Sequence, residues 1–226
     1  MPRSKNYLKL KSLIEPGKTF TLEEAIELVK KTSSKKFDAS IEIHGKLGID
    51  PKHSDQQIRT TFILPHGIGK TVKIAVFADL EKQKEAKEAG AHIVGGEELI
   101  EEIKKTEKCD FEIAIATPDM MKKMGVIAKI LGPKGLMPSP KNETITTDMK
   151  KTINELQKGK ITIKNDEFSN IHQVIGKASF ESNMLFDNAK AFIDTLKNAK
   201  PGSSKGTFIK KLVITSTMGP AIPLQV

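Results

Sequence analysis

At 226 residues the chain has room for one large domain or two small ones. Its 37 Lys+Arg against 28 Asp+Glu give a formal charge of +9, which favours an anionic partner, and its single cysteine, Cys109, excludes an internal disulfide or a multi-cysteine metal site. No apolar run approaches the ~20 residues of a membrane span, and the start Met1-Pro2-Arg3-Ser4-Lys5 lacks a signal-peptide core, so a soluble, intracellular chain is expected, with Cys109 as a buried small hydrophobe.

Thr21-Leu22-Glu23-Glu24 is a capping box that opens a helix, with Leu22, Ala25, Ile26, Leu28 and Val29 as its apolar stripe, ending near Lys31. The period then changes to two. Ile41, Ile43 and Gly45 alternate with Ser40, Glu42, His44 and Lys46, the pattern of a half-buried strand, and a second strand follows around 57–64. After Pro65, Gly67 and Gly69 the pattern becomes strand-helix-strand: strands at 72–78, 92–94 and 111–116 alternate with helices around 81–89, from Glu97 and from Asp119. Ile74-Ala75-Val76-Phe77-Ala78 is apolar on both faces, as in a parallel sheet covered by helices. In GVIAKILGPKGLMPSPK, 125–141, a basic helix runs into a Gly/Pro-rich loop expected to hold Lys134 and Lys141 outward. Two-residue alternation returns at 160–164 and 171–178, and a long amphipathic helix at 182–199 precedes a last strand at 207–215.

The expected fold is therefore an open α+β domain built from both termini, residues 1–67 plus 160–226, with an inserted Rossmann-like α/β domain at 68–159. Charge divides the same way: the insert carries 16 basic and 15 acidic residues, net +1, and the remainder is net +8. One continuous α/β domain is the alternative.

Several chemistries find no seat. Gly67-Ile68-Gly69-Lys70-Thr71 lacks the glycine that a phosphate loop needs where Leu64 stands, and a strand follows it in place of a helix. Gly95-Gly96 precedes Glu97 and Glu98, which bring negative charge where a pyrophosphate would lie. His44, His53, His66, His92 and His172 show no zinc-type spacing, and Asp50, Asp55, Asp166 and Glu167 read as turn and capping residues. No enzyme, metal or cofactor is expected. What remains is a polar constellation in the terminal segments: Lys35-Lys36-Phe37, the Ser40/Glu42/His44/Lys46 face, Lys164-Asn165-Asp166, Lys177-Ala178-Ser179 and Thr215 to Pro220. Lysines neutralise phosphates, hydroxyls and carboxylates bond ribose, and a glycine admits close main-chain approach, so RNA is one reading of this set. With ten Phe, one Tyr and no Trp, such binding would rest on shape and backbone more than on base stacking. A nucleotide-dependent enzyme and a basic scaffold for acidic proteins are the rivals.

The 125–141 segment, with Ile115-Ala116-Thr117-Pro118-Asp119, Lys46-Leu47-Gly48-Ile49-Asp50-Pro51, Leu64-Pro65-His66-Gly67, Gly176-Lys177-Ala178-Ser179-Phe180 and Thr217-Met218-Gly219-Pro220, closely resembles the large-subunit ribosomal protein L-one family in its bacterial form. The resemblance runs nearly end to end. It implies two domains, the second a nucleotide-like fold without a nucleotide. It also implies a cytoplasmic protein of the large ribosomal subunit that binds large-subunit rRNA, forms the mobile side stalk, helps release exit-site tRNA and represses its own operon mRNA. Free of RNA, it is expected to be a monomer. The RNA contacts it implies are Lys36, Phe37, Ser40, Glu42, Lys46, Lys164, Asp166, Ser179, Thr215, Thr217, Met218 and Gly219, with Lys134 and Lys141 as secondary contacts. Threonine is usual in the family where Ser40 stands, so the hydroxyl is kept and the methyl is lost.

Overall fold

The computed structural model describes residues 4–34, 36–204 and 206–225; Lys35 and the opening Met1-Pro2-Arg3 lie outside them. In chain order the elements are α1 (Lys5–Lys11), α2 (Leu22–Thr32), β1 (Ser40–Leu47), β2 (Arg59–Ile63), β3 (Ile74–Phe77), α3 (Leu80–Glu88), β4 (Ile93–Gly95), α4 (Glu97–Thr106), β5 (Ile113–Ala116), α5 (Pro118–Met124), α6 (Ala128–Leu131) and α7 (Met149–Gln157). β6 (Lys160–Lys164), β7 (Asn170–Lys177), α8 (Ser182–Asn198), β8 (Ile209–Ser216) and β9 (Ile222–Leu224) complete the chain. Helices and both parallel and antiparallel sheets are mixed, an α+β fold. The chain divides into two compact units, Met1–Gly69 with Ile161–Val226, and Lys70–Lys160, so each crossing falls one or two residues later than the sequence pattern places it. By these bounds the first unit holds 20 basic and 13 acidic residues, net +7, and the second 17 and 15, net +2.

The first unit is built on a four-stranded sheet of order β7-β1-β8-β9, with β1 antiparallel to both neighbours. Thr21 caps α2 as its sequence requires: Thr21 Oγ1 accepts the Glu24 N–H (3.4 Å) and Glu24 Oε2 accepts the Thr21 N–H (3.1 Å). The helix thus starts where Ala25, Ile26 and Val29 can bury, and these pack with Ile41, Ile43 and Leu47 of β1 and Leu185, Phe192 and Leu196 of α8 in one core. Gly45 lies on that buried face, where a Cβ would come within 2.7 Å of Leu212 and 3.0 Å of Ile171, so the strand needs a residue without a side chain there. β2 and β6 pair in a separate two-stranded sheet. Its end is tied by Asn165, whose Oδ1 accepts the Ile58 N–H at 2.8 Å.

Among the fully buried polar side chains of this unit, one makes three hydrogen bonds to the main chain. Asn188 of α8 accepts the His66 N–H at Oδ1 (3.1 Å) and donates through Nδ2 to the carbonyls of Gly67 (2.9 Å) and Ile175 (2.8 Å). It fastens the turn that precedes the first crossing to both α8 and β7.

The second unit is a three-stranded parallel sheet of order β4-β3-β5 with helices on both faces. Ile74 and Val76 face Ala86 of α3 and Met149, Ile153 and Leu156 of α7, while Ala75 and Phe77 face Ile100 and Ile103 of α4 and Met120 and Met124 of α5. The doubly apolar strand sequence is the direct cause of that three-layer arrangement. The basic helix after β5 is not continuous: α5 ends at Met124, a 3-10 turn spans Gly125–Ile127, and α6 adds a single short turn of helix. Cys109 is only half-buried and packs at the edge of the α4–α5 core. Lys160, buried at the end of this unit, is paired with Glu155 (2.8 Å) and Glu143.

Candidate nucleic-acid interface

Residues directly opposite in register share a face, so the face of the four-stranded sheet turned away from α2 and α8 is readable from the pairings. From β1 it carries Ser40, Glu42, His44 and Lys46; from β7, Lys177 opposite Ser40 and His172 opposite His44; from β8, Thr215 opposite Glu42 and Lys211 opposite Lys46. All remain partly or fully exposed. Lys46 and Lys211 place like charges directly across one strand pair, a local cost that an anionic partner would relieve.

At the Ser40 end of the sheet three segments meet. The Thr217 N–H donates to the Ser40 carbonyl (2.9 Å), and Thr217 Oγ1 accepts the Ser40 N–H (3.2 Å). Lys177 Nζ donates to Ser40 Oγ (3.0 Å), and the Ser179 N–H and hydroxyl both bond the Asp38 carboxylate (3.0 and 2.9 Å). Thr215 Oγ1 lies 3.2–3.3 Å from the carbonyls of Ser216, Gly219 and Pro220 and holds the turn after β8 closed. Within that turn Met218 has a left-handed backbone, φ 67°, a conformation that costs a non-glycine residue about 1 kcal/mol. Its side chain is 82% exposed, and Phe37, in the loop leading into β1, is 48% exposed. Lys36 is exposed beside it. Lys36, Phe37, Ser40, Glu42, Ser179, Thr215, Thr217, Met218 and Gly219 therefore gather at one end of the sheet.

Lys46, Lys164 and Asp166 gather at the other end. Lys46 lies opposite Asn170, Lys164 is exposed at the end of β6, and Asp166 begins the turn into β7. Between the two groups lies a contact that the spacing of the histidines does not announce: His44 Nδ1 and His172 Nδ1 are 2.8 Å apart, one ring donating to the other. Glu42 approaches His44 (3.5 Å) and Asp166 approaches His172 (3.7 Å). Burial and the His172 ring hold the His44 imidazole below the ordinary histidine range, against the pull of Glu42. The pairing depends on the register of two strands over a hundred residues apart, which hydropathy alone does not encode. Among the described residues no group of three or more His, Cys, Asp or Glu is placed to hold a metal ion, and no helix is long and apolar enough to cross a membrane.

Asp166 is held by its own turn. Burial disfavours its charge, yet the Asn170 N–H (2.6 Å), the Asn170 side-chain amide (2.9 Å) and the Phe168 N–H (2.8 Å) outweigh that and keep its carboxyl below the usual aspartate range. A folded value below the unfolded one, near 3.8, means the carboxylate contributes stability that is fully present above that pH and is lost as pH falls through the folded value. Asp166→Asn is accordingly expected to lower the melting temperature at pH 7, and the gap from the native chain to narrow progressively in melts run at pH values falling below 3.8.

In the second unit Lys134 does not project outward as the Gly/Pro loop suggests. It is exposed, but its ammonium folds back to the Glu107 carbonyl (3.0 Å) and the Cys109 sulfur (3.5 Å), because α4 ends there with an open carbonyl that a cation can cap. Lys141 is exposed on the 3-10 turn Pro140–Asn142. Glu97 at the start of α4 pairs with Lys123 (2.5 Å), so the strand-helix turn that would receive a phosphate in a nucleotide fold carries a carboxylate.

The model of the "Ribosomal protein L1p/L10e family" matches residues 29–220. The chain belongs to this family. It is 50% identical to the large ribosomal subunit protein uL1 of Kosmotoga olearia over 223 residues, covering 99% of this chain and 96% of the relative. It is 49% identical to that of Thermosipho africanus, covering 100% and 97%, and 48% identical to that of Fervidobacterium nodosum, covering 100% and 96%. These relatives are ribosomal proteins and not enzymes, in agreement with the residue-level reading of this family member.

Proposed function

We propose that the chain is a cytoplasmic protein of the large ribosomal subunit that binds large-subunit rRNA directly through the first unit. The observation that carries this is the convergence of three separated segments, 36–40, 177–179 and 215–219, at one end of an open, polar sheet face in the unit that holds most of the excess positive charge. Hydroxyls, a carboxylate and lysines on a fixed scaffold suit ribose and phosphate of a structured RNA, and Phe37 and Met218 add apolar contact. The relatives' place in the large subunit supports the same reading. Lys141 and Lys134 are the secondary contacts of the second unit, the latter after release from the Glu107 carbonyl. Within the ribosome the protein forms the mobile side stalk and assists release of exit-site tRNA; unbound, it is a monomer, needs no cofactor, and represses its own operon by binding an mRNA that presents the same shape.

Location of the site in the first unit is tested by removing residues 70–160 and joining Gly69 to Ile161 with a short glycine-rich linker. Each unit has its own hydrophobic core, so the shortened chain is expected to fold and to bind a large-subunit rRNA transcript within about tenfold of the full chain. Loss of specific binding by a shortened chain with a native circular-dichroism spectrum would put the site on the other unit.

A further inference from the structure

At the Lys46 end of the sheet, two residues suited to meeting RNA are engaged inside the protein. The Asp166 carboxylate is filled by three donors from Phe168 and Asn170. Lys46 Nζ donates to the Phe168 carbonyl. Ser169, left-handed at φ 62° and buried, adds a hydroxyl bond to the Ile49 carbonyl (2.8 Å), and its own carbonyl accepts the Leu47 N–H (2.9 Å). Every one of these bonds fixes the 166–170 turn, and what that turn holds out is Phe168, an aromatic side chain 73% exposed. Exposed Lys164 and Lys211 and the His172 ring supply polar and cationic surface at the same end of the sheet.

We propose that Phe168 is a nucleotide-stacking contact at the far end of the interface, and that Lys46 and Asp166 are positioning residues for its turn. This rests on the RNA reading above and extends it: an unpaired base or exposed ribose face of the rRNA would lie on the Phe168 ring while lysines hold its phosphates. The cost of ordering the backbone that carries the ring is already met by the turn, so less of its stacking energy is lost on binding. The seven residue steps of β1 from Ser40 to Leu47 put roughly 23 Å between this contact and the Met218 end, at about 3.3 Å per step.

The test uses the full chain and a transcript of large-subunit rRNA, with a scrambled RNA of equal length as control. Phe168→Ala is expected to raise Kd about five- to tenfold with an unchanged melting temperature, and Asp166→Ala to raise Kd by a similar factor that does not add to the first in the double variant. Because the chain has no tryptophan, Phe168→Trp is also a single-tryptophan reporter whose selectively excited indole emission should be quenched as RNA is added. A native Kd for Phe168→Ala, together with unquenched indole emission from Phe168→Trp, overturns the stacking contact, even where Met218→Ala still weakens binding. A native chain that does not distinguish the transcript from the scrambled RNA overturns the underlying RNA reading instead.

Discussion

Gly219→Ala should lower affinity for the rRNA transcript about a hundredfold, equivalent to about 2.7 kcal/mol, and substituting Ser216 by alanine in the same chain should recover most of it. A Cβ at position 219 would collide with Ser216 Oγ and lie 3.2 Å from the Ser216 carbonyl, which already accepts the Gly219 N–H at 2.8 Å. The turn has no slack to absorb this, because Thr215 holds its carbonyls from one side and Thr217 ties it to Ser40 on the other. Moving it displaces the Met218 side chain and breaks the Thr217–Ser40 pairing together. Ser216 Oγ is buried and makes no hydrogen bond among the described residues, so Ser216→Ala alone should leave stability unchanged or slightly raised. Filter binding on the two single variants and the double variant measures the coupling; equal losses in Gly219→Ala with and without Ser216→Ala would mean that the collision is not the cause.

Asn188→Leu is expected to be the most damaging single change to the first unit, costing about 3–5 kcal/mol. The leucine fits the apolar surroundings in volume but leaves the His66 N–H and the Gly67 and Ile175 carbonyls without their partner. Each orphaned buried group costs about 1–3 kcal/mol. Thermal unfolding should show a drop of roughly 10 °C or more, and amide exchange should quicken first in the 64–67 turn. A variant that melts within about 2 °C of the native chain would mean that water replaces all three bonds.

Much of this architecture is written in local pattern. The Thr21–Glu24 box and the alternation of Ile41, Ile43 and Gly45 with Ser40, Glu42, His44 and Lys46 specify a helix start and a strand with one dry face. The doubly apolar Ile74 to Ala78 specifies a covered parallel sheet. Where long-range geometry decides, local pattern falls silent. β9 is three residues around Pro223, which has no N–H to signal a ladder, and it forms because β8 offers a free edge. α1 is short and buries none of its residues, so no apolar stripe marks it. α7 does carry a signal, Met149, Thr152, Ile153 and Leu156 at helical spacing, next to a segment that the Gly/Pro-rich loop dominates.

The interface divides the same way. That Ser40, Thr217 and Ser179 belong together follows from family motifs, but that Thr217 and Ser179 spend their hydroxyls on Ser40 and Asp38 follows only from the packed ends of β1, β7 and β8. Lys134 looks free in the sequence because its neighbours are Gly and Pro; the open carbonyl at Glu107 that captures it is twenty-seven residues away. Phe168 has a readable cue, a lone aromatic among turn formers in Asn165-Asp166-Glu167-Phe168-Ser169-Asn170, and only its exposure gives that cue meaning.

The pairing of β2 with β6 has a practical consequence. Since Ile58 meets Asn165 at one end of this ribbon, five residues along each strand bring Ile63 and Lys160 together at the other. The polypeptide returns to the first unit at Ile161, on this end of the ribbon, and leaves it at Gly69, six residues beyond Ile63, so both crossings are tethered to the same ribbon end. The splice point of the host domain is thus a ready-made socket: any cargo module with adjoining termini, such as a fluorescent reporter, can be plugged in there without rethreading a strand.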